Sequence, residues 1–413
     1  MGSPATGLTI RRAEVEDIPA LARLERLAFC PQQATEPIEQ QLREDPEALE
    51  GQWLAVAADG RAVGAYKLLD LNTVLEGQIL PLGGLAGVAV SPEARGRGVA
   101  RGLVRHALAE LHSQKVPLAM LYPFQHGFYR QLGWAWVGRL HQYTVATDSL
   151  PKGSERTGVV PCEWAKHGPE LCELYQRAAL RHNGWLVRQE RQWQQFAKPH
   201  LGREIFCYFE QGRLLGYLVV QYQPDGPPTG SRLLVREWVA VSREAYWGLL
   251  GFLSAMRDQI KAVMWTTYPE DLFPYLLREQ RRVEKETLFG LTPRFGEIGG
   301  GFMWRLVDVQ EAFRLRVINQ GPPFMLTFEI QDPELGEQVV TANFTAGRMH
   351  PVTRPEPAVL RLSIDHLVEL FCGLRKASEL AWTRELEFTG ERSLLAQLDR
   401  AWQCTPPFCW NEF

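Results

Sequence analysis

The chain has 413 residues, 45% of them hydrophobic and 23% charged, with a formal net charge of −3. That length holds about two to three globular domains, and the near-neutral charge gives no reason to expect a nucleic acid or an anionic membrane as partner. No apolar run approaches the ~20 residues of a membrane span, and residues 1–9 lack the basic and apolar regions of a secretion signal.

Residues 8–11 read as a short strand. A helix follows, with Ile18, Leu21, Leu24 and Leu27 on one face, and a weaker helix is predicted over 37–42. Residues 53–58 and 62–69 are apolar strands joined through Asp59-Gly60, a hairpin signal. The apolar run 85–90 is a strand that Pro92 ends, and Arg95-Gly96-Arg97-Gly98 precedes helical spacing over 99–111. Glycines let backbone N–H groups approach a ligand, and the first turn of a helix leaves such donors unpaired. Phosphate suits that arrangement, with the arginines adding charge-assisted hydrogen bonds. A solvated basic turn capping a structural helix is the competing reading. No Gly-Lys-Ser/Thr follows, so a P-loop is excluded, and Gly-x-Gly lacks the third glycine of a dinucleotide site. A strand at 118–122, a short helix at 126–131 ended by Gly133 and an extended stretch at 134–145 complete the region.

This is an α/β order with a mostly antiparallel sheet that turns parallel near the glycine loop. The region resembles the GCN5-related N-acetyltransferase (GNAT) fold, whose acetyl-CoA pyrophosphate loop, Arg-x-x-Gly-x-Ala, matches Arg95-Gly96-Arg97-Gly98-Val99-Ala100. The resemblance implies acetyl-CoA as cosubstrate, with phosphates at the backbone of 95–100. The pantetheine arm would lie along the strand Val88-Ala89-Val90.

A quieter copy follows. Gly60-Arg61-Ala62-Val63-Gly64 recurs as Gly212-Arg213-Leu214-Leu215-Gly216, and the strand from Val88 to Ala94 recurs from Val239 to Ala245, at nearly one offset. Tyr246-Trp247-Gly248-Leu249 stands where the cations and first glycine were. The copy therefore reads as a degenerate GNAT-like domain without cofactor. Gly299-Gly300-Gly301 then marks a boundary. Beyond it, strands at 324–331, 338–344 and 358–362 and helices at 366–371 and 393–402 form an α+β unit. The closing Phe408-Cys409-Trp410-Asn411-Glu412-Phe413 is aromatic to its last residue, so it is expected to be held down rather than free.

Cys30, Cys162, Cys172, Cys207, Cys372, Cys404 and Cys409 are scattered without a CxxC pair, and the nine histidines show no HExxH or His–Cys grouping. No disulfide framework and no metal site are predicted, and a cytoplasmic location is expected.

Two GNAT-like domains (1–149 catalytic, 150–298 degenerate) and a sterol-carrier-like domain (299–413) resemble the enhanced intracellular survival (Eis) family of acetyltransferases. The best-matched parts are the glycine loop, Phe128-Tyr129 before Gly133, and the terminal Phe413. The resemblance implies Tyr129 as general acid toward the CoA thiolate, and the Phe413 carboxylate as general base toward the amine. It also implies several acetylated positions on one aminoglycoside, and a hexamer. From the residues alone, the reading to prefer for Tyr129 is a core tyrosine with a bonded hydroxyl, and His126, one turn away, is a second proton donor or a simply exposed histidine. Phe29, Glu36 and Glu412 are candidate acceptor contacts. Rival readings are a protein-lysine or polyamine acetyltransferase, and a non-catalytic CoA- or lipid-binding interaction protein.

Overall fold

The computed structural model describes residues 7–45, 47–152, 155–200, 202–224, 231–281, 287–411 and 413. The chain opens with β1 (Thr9–Arg12), α1 (Ile18–Phe29), α2 (Glu36–Glu44), β2 (Gln52–Val56), β3 (Ala62–Leu75) and β4 (Gln78–Val90). The hairpin of β3 and β4 runs longer than its sequence suggested. Glu76 and Gly77, both at positive φ, make the two-residue turn that matches strand twist. Next come α3 (Val99–Ser113), β5 (Leu118–Leu121), α4 (His126–Arg130) and β6 (Ala135–Trp136). The amphipathic helices cover both faces of this sheet. α1 buries Leu21 and Leu24 against Leu54 and Ala89, while α3 buries Leu103, Val104 and Leu108 against Tyr66 and Leu121.

The chain then leaves the sheet. β7 (Arg139–Ala146) pairs with strands of a second sheet rather than with β6. Around it follow β8 (Val159–Pro161), α5 (Trp164–Ala179), α6 (Glu190–Ala197), β9 (Arg203–Glu210), β10 (Arg213–Pro224), β11 (Ser231–Ala240), α7 (Arg243–Ala255) and β12 (Ile260–Thr267). A short helix α8 (Phe273–Leu276), the hairpin of β13 (Thr287–Phe289) and β14 (Thr292–Pro293), and β15 (Gly296–Gly300) complete it. β16 (Met303–Leu306) returns to the first sheet and slots between β5 and β6, giving the order β1-β2-β3-β4-β5-β16-β6. The second sheet runs β15-β7-β12-β11-β10-β9-β8.

The two sheets thus exchange strands reciprocally. Linear cuts at 149/150 and 298/299 do not describe this hydrogen bonding, which changes sheet at Gly138 and again at Gly301. The two crossings touch, with Gly301 N–H donating to Gly138 O at 2.7 Å. A Cβ on Gly138 would sit 2.8 Å from Phe302 N, and one on Gly301 2.9 Å from Gly138 O. The glycine run is therefore a close backbone crossing as well as a boundary.

The last unit holds α9 (Val309–Leu315), β17 (Phe324–Gln331), β18 (Gln338–Thr345), β19 (Arg348–Val352), β20 (Val359–Ser363), α10 (Ile364–Phe371), α11 (Ala377–Trp382), β21 (Leu386–Thr389) and α12 (Arg392–Ala401). Its sheet order is β19-β18-β17-β20-β21. Phe313, Phe328, Phe344 and Phe371 surround Trp402, so its own side chains fill its interior. Ionic contacts fasten it to the first unit. Arg305 of β16 meets Asp332 at 2.6 Å with both side chains fully buried, and Arg101 and Arg105 of α3 converge on the buried Glu334 carboxylate at 2.6 Å each.

Candidate active site

The site grows from a defect in β4. Ala65 faces Ala89 and Lys67 faces Ala86, so Gly87 and Val88 together oppose Tyr66. Gly87 takes φ +60, the left-handed conformation a bulge of this type requires. On its other edge β4 pairs with β5 only over residues 82–84. Beyond Gly84 the two parallel strands part, and the edge of 85–90 that faces β5 has no strand partner. A parted edge of this kind can pair with an extended ligand arm.

The glycine loop lies at the end of that edge. A short 3-10 turn over Pro92–Ala94 leads into Arg95, and Gly96 and Gly98 have φ +74 and +79. Gly98 is the residue before α3. Residues 95–98 are exposed, Val99 is buried, and Ala100 is half-buried on the first helical turn. Arg95 Nε lies 3.4 Å from Val90 O, and Arg97 forms no ion pair among the described residues. Arg101 and Arg105 are already taken by Glu334, which leaves Arg95 and Arg97 to face an incoming anion.

Tyr129 sits on α4, 2% exposed, in the cluster that includes Ala94, Val99, Leu121 and Trp134. Its ring meets Phe124 and Phe128 at 5.4 and 5.0 Å. Its hydroxyl finds no hydrogen-bond partner among the described residues, unlike a core tyrosine with a bonded hydroxyl. Burial pushes its pKa well above the usual phenol value, so it stays protonated at neutral pH. His126, the other donor candidate, is turned toward Trp136 and Gly300.

The tail reaches the point where β4 and β5 part. Phe413 Cε2 lies 3.2 Å from where a Cβ on Gly84 would be, at the point where β4 and β5 part. Its ring meets Tyr122, just beyond β5, edge-on at 5.8 Å. The preceding residues are fixed, as the aromatic composition led one to expect. Phe408 N–H donates to Asn183 O at 2.9 Å, Asn183 Nδ2 donates to Thr405 O at 2.8 Å, and Phe408 and Cys409 are buried.

Phe413 also lines a cleft of ≈ 1250 Å³ between the first helices and residues 186–196 of the second sheet's unit. Its polar lining is mixed. Asp45, Glu47 and Glu50 converge on Arg191. Glu25 of α1 has no ion pair among the described residues; its side chain is exposed to the cleft, and partial desolvation there raises its pKa, against the pull of Lys67. Lys67 is lowered by burial in turn. Phe29 and Glu36 do not line this cleft; Phe29 is exposed at the end of α1, and Glu36 at the start of α2. Glu412 lies outside the described residues. Glu25 was readable in principle, because it falls on the apolar stripe of Ile18, Leu21 and Ala22, where a charge has no structural purpose.

The second unit repeats the frame and fills the site. β11 pairs with β12 over 231–235 and then departs, as β4 does from β5. Instead of a loop, the helix begins at once. Ser242 Oγ accepts from Ala245 N–H at 3.0 Å, and α7 starts at Arg243, so Tyr246 and Trp247 lie inside it. Trp238 meets Tyr246 and Trp265 edge-on, and Trp265 stacks on Phe273. Elsewhere in this unit Cys162, His167 and Cys207 bring their donor atoms within 4.8 Å of one another, a grouping that sequence spacing hid. His167 Nδ1 already accepts Glu163 N–H at 3.1 Å, which puts its proton on Nε2 and leaves neither nitrogen open to a cation in this arrangement.

Comparison with known proteins agrees with this architecture. Family models of an acetyltransferase (GNAT) domain match residues 9–137 and 184–306, and a sterol carrier protein domain matches 309–410. The N-acetyltransferase Eis of Mycobacterium tuberculosis is 26% identical over 365 residues, 84% of each chain. An uncharacterised N-acetyltransferase of Streptomyces griseus is 23% identical over 352 residues, 76% of this chain and 78% of that one. Among solved structures, a GCN5-related N-acetyltransferase from Anabaena variabilis superposes with TM-score 0.84 at 24% identity, over 98% of this chain and 100% of that one. Eis1 from Mycobacterium abscessus gives 0.76 at 18%, with the same coverage. No helix among the described residues is long and apolar enough to cross a membrane.

Proposed function

We propose, for a chain that is a GNAT N-acetyltransferase with Eis homologues, direct transfer of acetyl from acetyl-CoA to a primary amine, with the base supplied by the end of the chain. The CoA pyrophosphate lies on the backbone of 95–100 between Arg95 and Arg97, and the pantetheine arm pairs with the free edge of Val88, Ala89 and Val90. Backbone N–H groups at the Gly87–Val88 bulge polarise the thioester carbonyl. The amine nitrogen bonds to the carbonyl carbon and gives its proton to the Phe413 carboxylate. The C–S bond breaks, and Tyr129 protonates the departing thiolate. The observation that supports this best is the Phe413 ring against Gly84, where the strands part.

The acceptor enters by the cleft. Its volume suits a bulky amine, and Glu25 without an arginine partner suits a cationic one, so polyamines and aminoglycosides lead the candidates. Acetylation of several amines on one aminoglycoside, as in the family, and a hexameric assembly remain part of this proposal.

Deletion of Phe413 and Tyr129→Phe test it together. Each should lower kcat by about 10²–10⁴-fold, the usual range for a lost acid or base, while the Kd for acetyl-CoA stays unchanged. Parent-rate turnover by the truncated chain would sink the terminal-base mechanism.

A further inference from the structure

The second unit starts α7 directly, without the glycine loop of the first, yet it keeps a buried polar centre that catalysis in the first unit does not explain. Arg188 and Glu237 face each other there with side chains 3% and 6% exposed. Arg188 Nη1 donates to Glu237 Oε1 at 3.0 Å, and the Tyr217 hydroxyl donates to the same carboxylate. Arg188 also stacks on Tyr175, Trp193 and Phe196, with its guanidinium carbon 4.1 to 4.8 Å from the ring centres. Removing an ion pair from water is costly unless its remaining donors are satisfied. One side of this guanidinium points away from Glu237, and the residue that satisfies it comes from the tail.

That residue is Asn411. With its amide oxygen toward Arg188, it accepts from Nε and Nη2 at 2.9 Å each, and its Nδ2 donates to the Tyr175 hydroxyl at 3.1 Å. Tyr175 in turn donates to Leu186 O at 2.9 Å. The backbone carbonyl of Asn411 accepts from the Tyr122 hydroxyl of the first unit at 2.8 Å. One residue is therefore held from both sides, by its side chain in the second unit and by its backbone in the first. The terminal carboxylate lies two residues on. Extended chain spans at most ~3.6 Å per residue, so fixing Asn411 confines the Phe413 Cα, which bears that carboxylate, to within about 7 Å of the Asn411 Cα.

We propose that Asn411, clamped by Arg188, Tyr175 and Tyr122, is the positioning residue for the Phe413 carboxylate, and that the degenerate unit supplies the seat. This rests on the terminal-base reading above. It gives the second unit a task in the reaction, which is to aim a group that another part of the chain carries. Arg188 brings no net charge to the site, because Glu237 neutralises it. The anchor can therefore hold the tail without pinning the carboxylate in a salt bridge that would depress its basicity.

The test is a double-mutant cycle on the full chain with acetyl-CoA and a polyamine acceptor. Asn411→Ala should lower kcat by about 10²-fold, the cost of a misplaced reacting group, with the KM for acetyl-CoA close to the parent's and the melting temperature lowered by the Arg188 donors left unsatisfied. Tyr122→Phe, which removes the other clamp, should act in the same direction. In the Phe413-deleted background the α-carboxylate sits one residue further back, short of the position the anchor sets, and Asn411→Ala should have no further effect on kcat. Equal losses with and without Phe413 would overturn the proposal and mark Asn411 as merely structural, as would a parent-rate Asn411→Ala enzyme beside an impaired Phe413 deletion. If the Phe413 deletion itself runs at the parent rate, the terminal-base reading fails first and the positioning role falls with it.

Discussion

Glu25 shows how a single residue can carry selectivity. It projects from the buried stripe of α1 into the cleft, and desolvation raises its pKa above the ordinary 4.5 of a glutamate, with only Lys67 pulling the other way. A carboxylate with a raised pKa loses its charge at a higher pH than a surface one does. For a cationic acceptor, KM should therefore climb on acidification starting above pH 4.5, as Glu25 takes up its proton. Glu25→Gln should raise the acceptor KM at neutral pH, flatten that climb and leave the KM for acetyl-CoA unchanged. Steady-state kinetics at a series of pH values checks all three, and an unchanged acceptor KM would remove Glu25 from the binding site.

Helices α3 and α7 are the same element with and without a ligand-binding entry. Before α3 the chain spends residues 92–98 on a turn with two left-handed glycines; before α7 a serine cap starts the helix directly. Arg97→Ala should weaken acetyl-CoA binding by about 10–100-fold, as expected for one charge-assisted hydrogen bond worth ~1.5–3 kcal/mol. Gly98→Ala forces a side chain into the left-handed region, at ~1–2 kcal/mol, and should lower both the melting temperature and the affinity. Calorimetry with acetyl-CoA separates the two effects. The strand, loop and helix here were legible because cations, glycines and periodicity all lie within a dozen consecutive residues. The hairpin tip at Glu76-Gly77 was missed because a turn of two residues leaves so brief a mark between apolar runs. The placement of β7 and β16 was hidden for a different reason. The sequence reads 134–145 as extended and assigns no strand at 303–306, and which sheet either stretch joins depends on contacts more than a hundred residues away. Phe29 and Glu36 were chosen by proximity in sequence to the first helices, whereas the cleft opens beside Glu25, further back along α1.

At the scale of the molecule, reciprocal exchange of β7 and β16 makes each large sheet depend on the other. The buried Arg305–Asp332 pair then ties β16 to the last unit. Scanning calorimetry should show one cooperative unfolding transition rather than three, and residues 1–137 alone, with the β5 edge bare, should aggregate. Separate transitions would show that the exchange does not couple the units. Stability should also fall with pH. Burial holds His106, His141 and His182 below the usual 6.5. The unfolded chain therefore takes up their protons first, and stability is lost as pH drops below 6.5. The lowered carboxyls of Glu93 and Glu385, each held at about 2 by hydrogen bonds, add a second loss below 4.5. Melting temperatures at pH 7.5 and 5.5 should differ, and His106→Gln should narrow the gap; equal slopes would exclude His106.

The strand exchange also sets a schedule for biosynthesis. At ~5–20 residues per second, Leu121 leaves the ribosome roughly 10–40 s before Met303 exists to pair beside it. During that interval β5, all four of whose residues are buried in the finished fold, has a bare backbone edge. A nascent chain in this state is a substrate for chaperones and for premature pairing between neighbouring ribosomes. Slow translation upstream of residue 303 should lower the yield of this protein more than the same delay placed after residue 306.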